Sequence, residues 1–283
     1  MEKVLLHTPE GVRDVYGKEC AVKLTIENSI NKVFNIYGYH NIQTPTFEFF
    51  DIFSKERGSV ASKNLYKFFD REGNTLVLRP DVTPSIARLV AKYYMDVKVP
   101  VKLCYNANTY INNSELQGKL KENTQLGCEL INDDSVEADA EILALVVDSL
   151  KAAGLKEFLL EIGHADFYKG LLEECGFDTE NEQELRKRIE NKNYFGVEEI
   201  LDNNNITGQL KEAFLKLPEL FGSIDVIKSA KELTDNKKAL QSIERLEKLY
   251  SILEDYGVSK YISFDLGMIS NFNYYTGIIF KAY

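Results

Sequence analysis

The residues best suited to chemistry fall in one stretch, NANTYINNSELQGKLKENTQLGCE, Asn106 to Glu129. It reads as two β-strands joined by a long loop. On the returning strand Gln125 and Glu129 share one face of a Q-x-G-x-E ladder. The loop carries Gly118, Lys119 and Lys121, the frame of a hairpin that closes over a phosphate. Yet no arginine occurs between Arg88 and Arg186. Arginine is the side chain that grips phosphate with two parallel bonds, so the frame lacks its best ligand. A second group lies upstream in LRPDVTPSIAR (78–88), where Asp81 and Thr83 stand beside Pro84. Acceptors there either cap the helix that Pro84 opens or face a ligand. Gln125 and Glu129 are likewise ligand groups or solvated strand residues, and Tyr275 is pocket or core. The residue types alone leave these alternatives open.

Positioning such groups requires an ordered scaffold, and the pattern supplies one. Apolar side chains at Val22, Ile26, Ile30, Val33, Phe34 and Tyr37 predict a helix over 19–37, ended by Gly38. HNIQTPTFEFF (40–50) reads as one short strand with Pro45 at its edge. KFFDREGNTLVLRPDVT reads as a hairpin turning at Glu72-Gly73-Asn74, followed by the helix opened by Pro84. VKLCYNA and TQLGCELI are the strands flanking the loop. Asp134 with Glu137 resembles a capping box before a helix over 136–153, closed by Gly154. EFLLEIG is a further short strand. From about 170 to 257 the chain turns to helical periodicity rich in Leu, Lys, Glu and Asn. YISFDLG and YYTGIIFKAY then read as an antiparallel pair joined across MISNFN. Strands and helices, then helices alone, then strands again predict an α+β fold, mainly an antiparallel sheet flanked by helices, with a helical insertion. The expected organisation is core over 1–169, insertion over 170–257 and returning strands over 258–283. The last apolar strand has no polar tail, which suggests that the chain is truncated at its C-terminus.

Composition narrows the functional classes. With 283 residues, 44% hydrophobic and 28% charged, the chain has the make-up of an ordinary globular protein. No run is long and apolar enough to span a membrane and no secretory signal is read, so the expected compartment is the cytoplasm. A net charge of −10 argues against broad contact with nucleic acid, tRNA included. Of the 34 basic residues only eight are arginine. Cys20, Cys104, Cys128 and Cys175 show no C-x-x-C spacing and read as buried reduced thiols. His7, His40 and His164 are isolated, so neither a metal nor a cofactor is implied.

Four segments together carry a resemblance. TPEGVRD (8–14), LRPDVTPSIAR, YNANTYINN…GKLKENTQLGCE (105–129) and NFNYYTGIIF (271–280) resemble, in order and spacing, the catalytic core of the histidyl-tRNA synthetases. The likeness implies a class II aminoacyl-tRNA synthetase fold that dimerises through its first long helix and strand. It also implies a histidine pocket, with Asp81, Thr83 and Gln125 toward the α-amino group and Glu129 and Tyr275 toward the imidazole. Tyr105 would line the same pocket. Asp81 replaces the family's glutamate, shortening that arm. Three positions depart from the ATP site. Ile111 stands where an arginine would hold the α-phosphate, Asn123 where an aromatic would stack on adenine, and Ser270 where the second catalytic arginine would lie. Losing one such electrostatic donor typically costs roughly 2.7–4 kcal/mol of transition-state stabilisation, so adenylation should be silent.

That pattern of retention and loss resembles the ATP phosphoribosyltransferase regulatory subunits, the synthetase paralogues of histidine biosynthesis. The likeness runs through LRPD-x-T-P-x-I-A-R, IGHADFYKGLLEE (162–174) and YYTGIIF. It implies a non-catalytic chain that assembles with the short-form catalytic subunit, activates it, and lets L-histidine inhibit it. It also implies a dimer with a second copy. The alternatives are a histidyl-tRNA synthetase fragment and a synthetase-like histidine-binding protein with another task.

Overall fold

The computed structural model describes residues 6–54, 60–113, 118–269 and 275–283. Its contacts divide it into two compact units, Met1–Asp133 with Asp148–Leu155, and Asp134–Val147 with Lys156–Tyr283.

In the first unit α1 (Gly17–Ile36) stops before Gly38, whose φ of +83° needs no Cβ penalty. Its periodic stripe is only partly used. Phe34 is buried, whereas Val22 is 59% exposed. The expected single strand over 40–50 is instead two, β1 (His40–Asn41) and β2 (Phe47–Phe49), in different sheets. The break falls at Pro45, which cannot donate to a ladder. β3 (Lys67–Phe69) and β4 (Thr75–Leu78) form the expected hairpin, and β4 lies between β2 and β3. Its turn is held by Asp70, whose Oδ1 accepts from Asn74 N at 2.8 Å. α2 (Thr83–Tyr93) begins with Pro in its first turn. It lays Val82 and Ile86 on Val101, Leu103 and Tyr105 of β5 (Val101–Tyr110). β5 pairs antiparallel with β6 (Glu122–Ile131) and parallel with β1.

In the second unit the cap of α3 (Val136–Ala152) is Ser135, whose Oγ accepts from Ala138 N at 3.1 Å. The expected cap was Asp134. Ser135 directly precedes the first helical residue, and its hydroxyl is the one within reach. β7 (Leu160–His164) then leads into α4 (Ala165–Cys175), α5 (Thr179–Glu190), α6 (Tyr194–Asn203) and α7 (Gly208–Lys216). β8 (Phe221–Gly222), α8 (Asp225–Glu232), α9 (Lys237–Asp255), β9 (Ile262–Asp265) and β10 (Ile278–Ala282) follow. The sheet order is β10-β7-β9-β8. The expected antiparallel pairing of the last two strands is therefore corrected, because β7 lies between them. It is parallel to β9 and antiparallel to β10. Leu160 and Ile162 are fully buried, so the backbone of β7 needs a partner on both edges, and the two later strands each take one. His164 closes β7 and caps α4, its Nδ1 accepting from Asp166 N at 3.2 Å. Burial pushes its pKa down to about 4, which keeps that nitrogen an acceptor.

Among the described residues no helix is long and apolar enough to cross a membrane, and no group of His, Cys, Asp or Glu could hold a metal ion.

One buried arginine ties the first unit together. Arg79, 6% exposed, donates from Nε to Asn108 O at 2.8 Å. Its Nη1 reaches Thr44 O at 2.8 Å and Pro45 O at 3.2 Å. Arg79→Met would leave those carbonyls without their donors. We expect unfolding in urea to show a loss of about 3 kcal/mol, whereas an exposed control, Arg71→Met, should stay within about 0.5 kcal/mol.

Candidate functional site

The floor of the site is the β5–β6 ladder. The register sets Leu103 against Glu129, Tyr105 against Gly127 and Ala107 against Gln125. Directly opposed residues share a face and neighbours alternate, so these six side-chain positions point one way. α2 covers that face, since Val82 and Ile86 pack on Leu103 and Tyr105.

The first turn of α2 then reaches across. Thr83 Oγ1 donates to Glu129 Oε1 at 2.7 Å. Asp81 turns the other way, its Oδ1 accepting from Val82 N at 2.7 Å and, weakly, from Thr83 N at 3.5 Å. Asp81 thus does the structural work of the helix entry and keeps a second carboxylate oxygen. Thr83 does not cap, and its hydroxyl is committed to the face of β6. Burial raises the pKa of Glu129, the Thr83 bond opposes that rise, and the Asp81 charge adds to it. Burial also pushes the Tyr105 phenol far above its ordinary range, with the Glu129 and Asp81 charges adding. The phenol is therefore a neutral hydroxyl.

Gly127 explains why the ladder reads Q-x-G-x-E. A methyl group at its Cβ position would stand 2.5 Å from Tyr105 Cζ and 2.8 Å from Cε1. Only glycine lets the Tyr105 ring lie across β6. A glycine inside a strand signals such an approach, but the sequence does not say what approaches.

Asp81, Thr83, Tyr105 and Glu129 are therefore brought together, and Gln125 stands on the same face. Tyr275 belongs to the other unit, where its backbone carbonyl accepts from Lys169 Nζ. The cluster is rich in acceptors: two carboxylates, two hydroxyls and an amide. Such a set suits an ammonium group and a ring N–H.

The positions read as lost from a nucleotide site look different. Ile111 N donates to Lys121 O at 2.9 Å, a hairpin contact. Asn123 is exposed, and its amide donates to Leu120 O at 3.4 Å. Ser270 lies outside the described residues. The aliphatic stem of Lys121 covers Gly11. The arginines of LRPDVTPSIAR do not substitute for the missing ones. Arg79 faces backbone carbonyls, and Arg88 Nη2 bonds the buried Glu48 at 2.7 Å.

Residues 11–283 match the family described as Histidyl-tRNA synthetase. The chain is 46% identical, over all its length and 68% of the relative's, to the "ATP phosphoribosyltransferase regulatory subunit" of Ruminiclostridium cellulolyticum. The chain belongs to the ATP phosphoribosyltransferase regulatory subunit family, on the histidyl-tRNA synthetase scaffold. A crystal structure from Bacillus halodurans, described as an ATP phosphoribosyltransferase regulatory subunit/histidyl-tRNA synthetase, superposes with a TM-score of 0.90 at 36% identity. It covers 99% of this chain and 73% of that one. A chain of the ATP phosphoribosyl transferase complex from Thermotoga maritima shares the fold, with a TM-score of 0.69 at 21% identity, covering 91% of this chain and 86% of that one. The expected class II synthetase fold is thus present. The chain spans roughly two thirds of the length of the curated relatives it matches.

The raised pKa of Glu129 has a stability consequence. Its folded form holds a proton more tightly than the unfolded chain. Stability therefore falls as pH rises through the interval between those two pKa values. Glu129→Gln removes that penalty. In the absence of ligand, the variant should melt above the wild type at neutral pH. The gap should close below the ordinary carboxylate range, as a pH series of thermal melts would show.

Proposed function

We propose that this chain is a non-catalytic regulatory subunit of ATP phosphoribosyltransferase, acting at the first step of histidine biosynthesis. It assembles with the short-form catalytic subunit, raises its activity, and carries the histidine that inhibits it. One observation supports this most: the Thr83–Glu129 bond joins two of the candidate amino-acid ligands, while Ile111 and Asn123 place no cationic side chain at two positions of the nucleotide side. In this reading Asp81, Thr83 and Gln125 take the α-amino group. Glu129 takes the imidazole, and Tyr105 lines the seat. The protomer pairs with a second copy through the α1 region, where Val22 and Ile26 are exposed. The class II core runs over 1–169 and 258–283 and is interrupted by the helical insertion 170–257.

Histidine can shift the complex only by favouring one arrangement of it over another. Its affinity for this chain and the activity of the partner are therefore linked. The phosphoribosyl transfer itself belongs to the catalytic subunit.

The test pairs binding with activity. Calorimetric titration should show histidine binding and no ATP binding. Glu129→Ala should weaken histidine about tenfold to a hundredfold, the range for a lost bond to a charged group. Added to the short-form catalytic subunit, the chain should raise its turnover, and histidine should reverse the gain. Unchanged histidine affinity in Glu129→Ala would refute the pocket. Histidine-dependent pyrophosphate exchange at synthetase-like rates would refute the non-catalytic assignment. Failure to co-purify with the catalytic subunit would favour a synthetase-like sensor with another task.

A further inference from the structure

The face of the β5–β6 ladder opposite the candidate site holds a second constellation. Cys104 and Cys128, 24 positions apart in sequence, are direct cross-strand partners in the register. The backbone fixes what kind of pair this is. Cys104 O accepts from Ile42 N of the neighbouring segment, while Ile111 N donates to Lys121 O across the hairpin. Odd-numbered residues of β5 thus turn their polar groups to β6 and even-numbered ones turn away. Cys104 and Cys128 form a non-hydrogen-bonded pair, in which Cα atoms lie about 4.5 Å apart and side chains stand closest. That separation lies inside the range a disulfide spans. Both residues are thiols here. Cys104 is fully buried and Cys128 is partly exposed.

We propose that Cys104 and Cys128 are an oxidisable dithiol, a modification site that closes to a cross-strand disulfide under peroxide. The partly exposed Cys128 thiolate attacks one peroxide oxygen, the O–O bond breaks, and a sulfenic acid forms with release of hydroxide. The buried Cys104 thiol then attacks the Cys128 sulfur, forming S–S and expelling water, its proton leaving with the departing oxygen. In sum two thiols lose two electrons and two protons, and one hydrogen peroxide becomes two waters. Burial raises the Cys104 pKa, which disfavours its thiolate and leaves the first step to the partly exposed Cys128. Cys128 is partly exposed, and exposed disulfides are the readily reduced ones, which makes the modification reversible by a thiol. The crosslink would fasten the two strands one residue from Tyr105 and one residue from Glu129. The inference rests on the strand register and stands whether or not histidine binds.

Peptide mapping tests it directly. Trypsin cuts after Lys102, Lys119 and Lys121, so the two cysteines fall on separate peptides. The native chain is treated with hydrogen peroxide, its remaining thiols are alkylated, and the digest is analysed without reductant. The expected result is one crosslinked species joining the two peptides, lighter than their sum by two hydrogens and lost on adding dithiothreitol. In Cys104→Ser the crosslink should vanish and Cys128 should accumulate as a dimedone-trappable sulfenic acid. Should that variant fail to fold, mapping of the wild type alone decides. Cys128 in the wild type accumulating as sulfenic or sulfinic acid without the crosslink would overturn the proposal. So would both thiols remaining fully alkylatable, or a crosslink found only in denaturant.

Discussion

A carboxylate drawn into a protein needs a donor, and here Glu129 on β6 finds one in the Thr83 hydroxyl, 2.7 Å away on the first turn of α2. Much of the first unit can be understood as what makes that bond available. Pro84 fixes where α2 begins, and Asp81 holds the helix entry so that Thr83 is spared from capping. Val82 and Ile86 press the helix onto β5 at the height where Thr83 meets Glu129. Gly127 clears the space in which Tyr105 crosses to the same spot. Burial keeps the Tyr105 hydroxyl protonated and raises the cost of charge on Glu129. The carboxylate is thereby held at a stability cost, which is what a group kept for a cationic ligand would show.

The same economy of charge accounts for the other half of the reading. Transition-state charge at phosphorus is held by guanidinium groups that stand ready for it. In this chain the arginines nearest the site in sequence are turned to structural tasks, Arg79 to three carbonyls and Arg88 to Glu48. Ile111 serves the hairpin through its backbone, its N–H donating to Lys121 O and its carbonyl accepting from Asn113 N. At the base of the loop that looks built for phosphate, the stem of Lys121 packs on Gly11.

How much of this was legible in the sequence depended on whether the signal was local. The Pro84 helix start, the Gly38 stop and the 67–78 hairpin are written in neighbouring residues, and all three appear. The order β10-β7-β9 was not legible. Burial of Leu160 and Ile162 calls for a partner on each edge of β7, a demand set far in sequence from β9 and β10. The cap of α3 fell one residue from its expected place because Asp and Ser are comparable caps and only geometry chooses. Within the site, residue types showed acceptors but not their partners. That Thr83 serves Glu129 while Asp81 serves the helix required the fold. Reduced thiols were expected, but only Cys104 is buried, and its pairing with Cys128 lies in the strand register.

Amide hydrogen exchange, read along the chain with and without histidine or ATP, tests the central claim most directly. If an amino-acid seat survives and the nucleotide grip does not, histidine should slow exchange in β5, in β6 and at the start of α2, and ATP should leave them unchanged. Protection by ATP around Ile111, or no protection of those segments by saturating histidine, would contradict the account.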